Sequence, residues 1–384
     1  MKKLFNCWKL NLGILMMALF FSQCGKPNSG GNSSQLTAEQ VLKVDLNHQD
    51  ELSDRNNLDS LSIIRLETSK ECLIGNINKI EILENRIYIL DKFKSRSLFC
   101  FKLSGEFEFK IHNLGDGPGE FTLPEDFSVI DQEISIYDNF RKMKINYDQN
   151  GNFISETKMV VSIRNILQLD DGIALVTPDE SYLDSENDYN LLVTDRNIGK
   201  ILERYIPNVT LGESIFSSNK VFSKWGTRIL FTYGFNDTIY SFDKKDLMRQ
   251  LVMDFGKNKI PYEIAETESR EVRDRIFDTN YNYNGLLMDI SENEDYISFR
   301  YTNFSLLKDH DPFLLYSKES KKVYNFTNIY NYEHRFKINP PMFVYKNKFV
   351  SKVTYDIKGE STPGLLPSEM DNPALAIYTI KRGY

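Results

Sequence analysis

The sequence predicts an all-β chain folded as a six-bladed β-propeller with four-stranded blades. Three observations carry this reading. The 26 Phe and 21 Tyr residues sit in short apolar runs separated by polar turns. The turns recur with a period near 46 residues. Most of these hairpins follow a second apolar pair, which makes four strands per repeat, the period of a propeller blade.

The N-terminal elements precede the repeat. "MKKLFNCWK" places Lys2, Lys3 and Lys9 before an apolar run from Leu10 to Phe21. That run is shorter than the roughly 20 residues a transmembrane helix needs, and it has the form of a secretory signal peptide. It ends in "FSQC", so residues 1–23 read as a lipoprotein signal and Cys24 as the acylated first residue of the mature chain. Gln23 departs from the small residue usual before such a cysteine. Residues 24–58 open with "GKPNSGGNSSQ", too poor in apolar groups to order themselves, and are assigned to a flexible tether.

The propeller is assigned to residues 59–384. Its outer hairpins turn at Ser104-Gly105, Asn150-Gly151, near Gly199, near Lys245 and near Ser320. The first two carry glycine where a tight hairpin needs positive φ. Successive turns lie 46, 48 and 46 residues apart, and then 75. The excess coincides with "PYEIAETESREVRDRIF", which starts with Pro261, is dense in Glu and Arg, and places Ile264, Val272 and Ile276 on one helical face. A helical insertion is expected at about 261–279.

Inner strand pairs are read in "KIEILENRIYILDK", "FSVIDQEISIYDN", "NILQLDDGIALVTP", "MDISENEDYISFRY" and "MFVYKNKFVSKV". Ile87 to Leu90 is apolar on both faces, as a strand packed between two blades requires. Without the insertion, residues 59–384 divide into six repeats of about 49 residues, closer to the observed spacing than seven. The last repeat, "PPMFVYKNKFVSKVTYD" with "PALAIYTIK", supplies three strands, and "LSIIRLE" (Leu61 to Glu67) is expected to supply the fourth and close the ring.

The order "IGNINKIEI…RIYILDK…LFCFKLSGEFEFKIHNLGDGPGEF", with the ending "NPALAIYTI", resembles six-bladed β-propeller lipoproteins of Bacteroidota, a group of unknown function akin in shape to NHL and TolB-like propellers. The resemblance implies a fold and an address in the cell envelope, lipid-anchored at the outer membrane; it implies no established reaction. Surface lipoproteins of that group often carry acidic residues just after the lipidated cysteine. Here none precedes Glu39, so the periplasmic and surface sides both stay open.

"HNLGDGPGEFTLPEDF", His112 to Phe127, holds the densest glycine cluster. A dinucleotide loop needs G-x-G-x-x-G between a strand and a helix. Gly115, Gly117 and Gly119 have the wrong spacing, Pro118 has no N–H to donate, and Asp116 and Glu120 would repel phosphate. The stretch therefore reads as a structural corner between blades 1 and 2, with Gly115, Gly117, Pro118 and Gly119 shaping the turn and Phe121 pinning it. Such corners line one mouth of a propeller's channel. Glu120 is a candidate ligand contact there, with Asp91 and Arg96 of "DKFKSRS" and Asp138 and Arg141 of "DNFRK".

Signatures of chemistry are scarce. There is no G-x-S-x-G, H-E-x-x-H or C-x-x-C, and His48, His112, His310 and His334 stand apart in sequence. His310, between Asp309 and Asp311, reads as a polar loop, and the acidic run Thr177 to Asn190 lacks the glycine and ligand spacing of an EF-hand. No metal and no cofactor is expected. Removing residues 1–23 takes three lysines and no acids, leaving a mature charge of −10 and no footprint for nucleic acid. Cys72 and Cys100 are the only candidates for a disulfide, and two buried thiols are the equal alternative. The functional reading is a membrane-anchored binding module for a protein, glycan or small ligand at one mouth of the ring. Its alternatives are a carbohydrate lyase or hydrolase working in the channel, and a structural role in an envelope assembly.

Overall fold

The computed structural model describes residues 39–383 except 49, 170, 180–187, 209–219, 235, 244–245, 262–263, 265–274, 276–279, 281, 304–311, 334–335 and 356–370. The signal peptide, Cys24, the turn at Lys245, His310, His334, most of the acidic run and all but Pro261, Ile264 and Arg275 of the helical insertion fall outside the described residues. Where described, the chain is almost wholly β; its one helical element of more than a single residue is a 3-10 turn at Gly256–Asn258.

Three strands precede the blades: β1 (Gln40–Lys43), β2 (Leu52–Ser53) and β3 (Leu58–Arg65). Blade 1 follows as β4 (Lys79–Leu83), β5 (Arg86–Asp91), β6 (Ser97–Lys102) and β7 (Phe107–Ile111). Blade 2 is β8 (Pro124–Ile130), β9 (Glu133–Asp138), β10 (Met143–Tyr147) and β11 (Phe153–Lys158). Blade 3 is β12 (Ile163–Gln168), β13 (Ile173–Pro178), β14 (Tyr189–Asp195) and β15 (Ile201–Pro207). Blade 4 is β16 (Phe222–Trp225), β17 (Arg228–Phe231), β18 (Thr238–Asp243) and β19 (Asp246–Asp254), and blade 5 is β20 (Asn284–Glu292), β21 (Tyr296–Asn303), β22 (Phe313–Ser317) and β23 (Val323–Phe326). The chain ends in β24 (Ile329–Asn331), β25 (Phe336–Ile338), β26 (Phe343–Tyr345), β27 (Lys348–Tyr355) and β28 (Ala374–Ile380).

Each blade is an antiparallel meander of consecutive strands, as the paired hairpins predict. The blade count differs from the expected six. There are five regular four-stranded blades, and the remaining sheet is a seven-stranded composite in the order β2-β24-β25-β27-β28-β3, with β26 also paired to β27. The cause is β27: its first half pairs with β26 and its second half with β25, so extra strands are recruited where a repeat would hold four. Within this sheet β3 lies antiparallel to β28, with Leu375 opposite Ile64 and Tyr378 opposite Leu61, the pairing expected of "LSIIRLE".

The tether assignment is corrected at its C-terminal end. Inside 24–58, β1 pairs in parallel with β19 at the edge of blade 4, and β2 pairs in parallel with β24. These segments are short, and the Gly, Ser and Asn content of the preceding residues masks them in a composition reading. Leu42 and Leu52 are buried.

The core lies between sheets. In β5, Ile87 and Ile89 pack toward the composite sheet while Tyr88 and Leu90 pack against Phe127, Ile134 and Ile136 of blade 2. All four are essentially inaccessible to solvent. Alternate side chains of one strand thus bury on opposite faces, which explains the absence of apolar/polar alternation.

Candidate functional site

The first strand of each blade, β4, β8, β12, β16 and β20, packs beside the next, and β26 of the composite sheet completes the circuit back to β4. These strands enclose a channel with a cavity of about 570 Å³. Its wall carries more basic than acidic side chains, in a chain whose net charge is −7.

The charges on the β4–β8 side form a closed set. Lys79 Nζ donates to Asp126 Oδ1 and to the Phe127 carbonyl, both at 2.7 Å, and lies 3.2 Å from Glu81 Oε1. Asp126 also accepts the Ile166 N–H at 2.8 Å, so one carboxylate ties the inner strands of three successive blades together. Burial works against the Lys79 ammonium, but Asp126 and Glu81 outweigh it and hold the group above the ordinary lysine range. Burial pushes the Glu81 carboxyl up, against the pull of Lys79.

Across the channel, Asp289 pairs with Arg300 at 2.7 Å. Lys220, just before β16, is different. Its Nζ donates to Ser291 Oγ at 3.2 Å and the Met342 carbonyl at 3.0 Å, 5.5 Å from the centre of the Phe343 ring. Burial pulls this amine down to about 8, with Asp289 and Glu81 acting upward and Lys79 downward. Lys352, also on the channel wall, is lowered by burial and by nearby Lys94.

The residues singled out from sequence gather around the corner between blades 1 and 2. Asp91 is fully buried and accepts backbone N–H groups from Gly75 (2.8 Å), Asn76 (3.2 Å), Lys94 (3.1 Å) and Ser95 (3.2 Å). Asp138 does the same one blade on, for Thr122 (2.6 Å), Phe140 (2.9 Å) and Arg141 (3.3 Å). Arg141 donates to the carbonyls of Gly117 and Glu120, and Arg96 reaches the Thr122 carbonyl at 3.4 Å. The Glu120 carboxylate accepts the Gly117 N–H at 2.8 Å, and Glu156 accepts that of Gly119 at 3.2 Å. Two carboxylates therefore occupy backbone donors that a phosphate would need. Gly115 donates to the Phe121 carbonyl at 3.1 Å, Phe121 is fully buried, and Pro118 is exposed. At Gly119, φ is +72° and a Cβ would stand 2.6 Å from the Phe153 ring, so glycine is required there.

The channel cluster itself was missed in the sequence. Lys79, Asp126 and Lys220 sit in no motif, and their partners lie as many as 122 residues away. Among the described residues no three His, Cys, Asp or Glu side chains converge to hold a metal. A second hollow of about 570 Å³ lies among the hairpin turns of blades 1 and 2, where Arg86 pairs with Glu108 at 2.6 Å and the lining Lys102 with neighbouring Glu106 at 2.7 Å. Arg86, Glu108 and Lys102 there are already paired.

The sequence profile of a domain of unknown function, DUF4934, matches residues 39–379. No curated protein is similar enough in sequence to match. Among solved structures, a Bacteroides fragilis protein assigned as exported superimposes with a TM-score of 0.71 at 22% identity, covering 90% of this chain and 100% of its own. A duf4221 family member from Bacteroides vulgatus gives a TM-score of 0.51 at 10% identity, covering 85% of this chain and 98% of its own. At these identities the likeness is one of fold.

Proposed function

The chain belongs to the DUF4934 family, and from that premise we propose that it is a binding module of the cell envelope that holds a small polar ligand in the mouth of its central channel. The carrying observation is the ring of inner strands around a cavity of about 570 Å³ whose wall presents buried, oriented charges. Pockets of this size take small molecules, with a few polar groups fixing orientation. The arrangement favours binding over turnover. Among the described residues each acid lining the channel is held by a cation, Glu81 and Asp126 by Lys79 and Asp289 by Arg300, an arrangement that fixes charge for a ligand.

An extracytoplasmic address is supported by the signal-like N-terminus and by the structural likeness to a protein assigned as exported. No helix among the described residues is long and apolar enough to cross a membrane. The anchor in this reading is a lipid on Cys24, at the outer membrane. Mass spectrometry of the membrane fraction should find a diacylglyceryl group on Cys24, and Cys24→Ser should release the protein from that fraction.

Thermal unfolding of the full chain with a panel of neutral, acidic and basic monosaccharides, amino acids and short peptides tests the binding reading. A ligand of the native state raises Tm in a concentration-dependent way. A flat panel over a cooperative melt, or turnover of any member, would sink it.

A further inference from the structure

The carboxylates on the channel wall are matched to particular cations. Lys79 serves Asp126 and Glu81, and Arg300 serves Asp289. Among the described residues no carboxylate lies within ion-pair distance of Lys220; its partners are a hydroxyl and a carbonyl. An ammonium has three donors, so two are held by Ser291 and Met342 and the third is left for the channel. The Phe343 ring fixes the same ammonium from another side. Taking a cation out of water without an anion is costly, and such groups mark functional sites.

The backbone opposite is strained in the same place. β20 breaks register twice, between Gly285 and Met288 and between Met288 and Ser291. Leu286 and Asp289 take positive φ, 51° and 53°, which leucine and aspartate rarely adopt within a strand. The Asp289 N–H that results donates to the Lys220 carbonyl at 2.7 Å. Strain of this kind concentrates at ligand sites.

We propose that the channel ligand is a small carboxylic acid whose carboxylate pairs with Lys220 Nζ beside Met342 and Phe343, with Lys352 as a second cation on the same wall. This rests on the binding reading above and names its ligand class. A carboxylate supplies the charge-assisted acceptor that the fixed donor lacks. The groups facing Lys220 are Asp289 with its partner Arg300, and Lys79 with Glu81. Their opposite charges are already paired with one another, so the titrations that matter for binding are those of Lys220 and of Lys352, whose amine burial also lowers.

Calorimetry on the full chain, with acetate, malonate and D-glucuronate as probes and acetamide, malonamide and D-glucose as their neutral matches, tests this at pH 7. Expected is binding of at least one acid at least about tenfold tighter than its neutral match, weakening as pH rises past 8. Lys220→Met should abolish the preference and Lys220→Arg retain part of it. If Lys220→Met does not melt cooperatively, Lys352→Met should weaken the acid without affecting its neutral match. Equal binding of acids and neutral matches would overturn the acid preference while the binding module stands. No binding by any probe up to about 50 mM, well above ordinary binding-site affinities, would overturn this inference, whereas the wider thermal panel decides the binding reading separately.

Discussion

Asn372 accepts the N–H of Ile74 at 2.7 Å, across 298 residues of sequence. The same side chain donates to the carbonyls of Glu67 (2.6 Å) and Cys72 (2.8 Å), and it is fully buried. One amide thus fastens the approach to β28 onto the segment that joins β3 to blade 1. Asparagine suits the role because it combines an acceptor with two donors. Asn372→Asp keeps the shape but turns a carboxylate toward two carbonyls. We expect a loss on the order of 3 kcal/mol, seen as a lower urea midpoint at unchanged slope. A change below about 0.5 kcal/mol, the range of ordinary surface substitutions, would mean that the β3–β28 pairing alone holds the two chain ends.

Glu292 closes blade 5 at its inner strand, with no exposed surface, and receives both Arg228 and Lys318, the latter at 2.7 Å. Glu292→Gln leaves buried Lys318 and half-buried Arg228 without their shared anion, and breaking a buried pair typically costs about 3–5 kcal/mol. The pH dependence has a definite sign. Burial lowers Lys318 below its ordinary value, and Glu292 opposes that fall. The unfolded chain therefore holds the Lys318 proton to higher pH than the native one, and stability rises as pH climbs between the two values. Removing Glu292 lowers the native value further and widens that window. The penalty of Glu292→Gln measured by denaturation at pH 10 should be smaller than at pH 7; an equal penalty would place the cost on Arg228 alone.

Cys72 and Cys100 are free and buried, in cores on the two sides of blade 1. Burial, reinforced by Glu108, pushes the Cys100 thiol up to about 12, so at pH 8 only about one molecule in ten thousand carries the reactive thiolate. Peptide mapping after native alkylation should find both positions unmodified, with full labelling only after denaturation. Native labelling of Cys100 would show that the seam between blades 1 and 2 opens locally.

Much of the fold was legible because it is local. The turn at Gly105 shows in sequence as a polar pair between apolar runs, and the structure adds a reason that does not: a Cβ there would stand 1.9 Å from the Arg65 carbonyl at the end of β3. The inner pair of blade 4 escaped notice because its strands are only four residues each, joined at Gly226. β24 and β25 escaped because three-residue strands carry no periodicity. The corner residues Asp91 and Asp138 were found by their charge in a loop, but the N–H groups they hold belong to segments up to 16 residues away. The channel site was hidden for the same reason on a larger scale. Lys220 reads as a solvated lysine until Ser291 and Met342, 71 and 122 residues on, are brought against it.

That placement makes Lys220 a test of the channel without any ligand. Its amine falls from an ordinary lysine value of 10.5 to about 8 in the folded chain, chiefly through burial. Below pH 8 both states are protonated and the native one bears the cost of a cation in the wall; between 8 and 10.5 the native state sheds the proton first, so stability rises with pH across that window. Lys220→Met removes the charge while keeping most of the volume. It should therefore stabilise the protein at pH 7 by roughly 1–2 kcal/mol, a figure already reduced for the partial exposure of the side chain. The gain should be nearly gone by about pH 10.5, where the parent's native amine is already neutral. Urea denaturation of both proteins at the two pH values reads this directly. A variant less stable than the parent at pH 7 would show that the bonds to Ser291 and Met342 contribute more than burial of the charge costs, and Lys220 would then be a strut of the ring instead of a residue held at a stability cost.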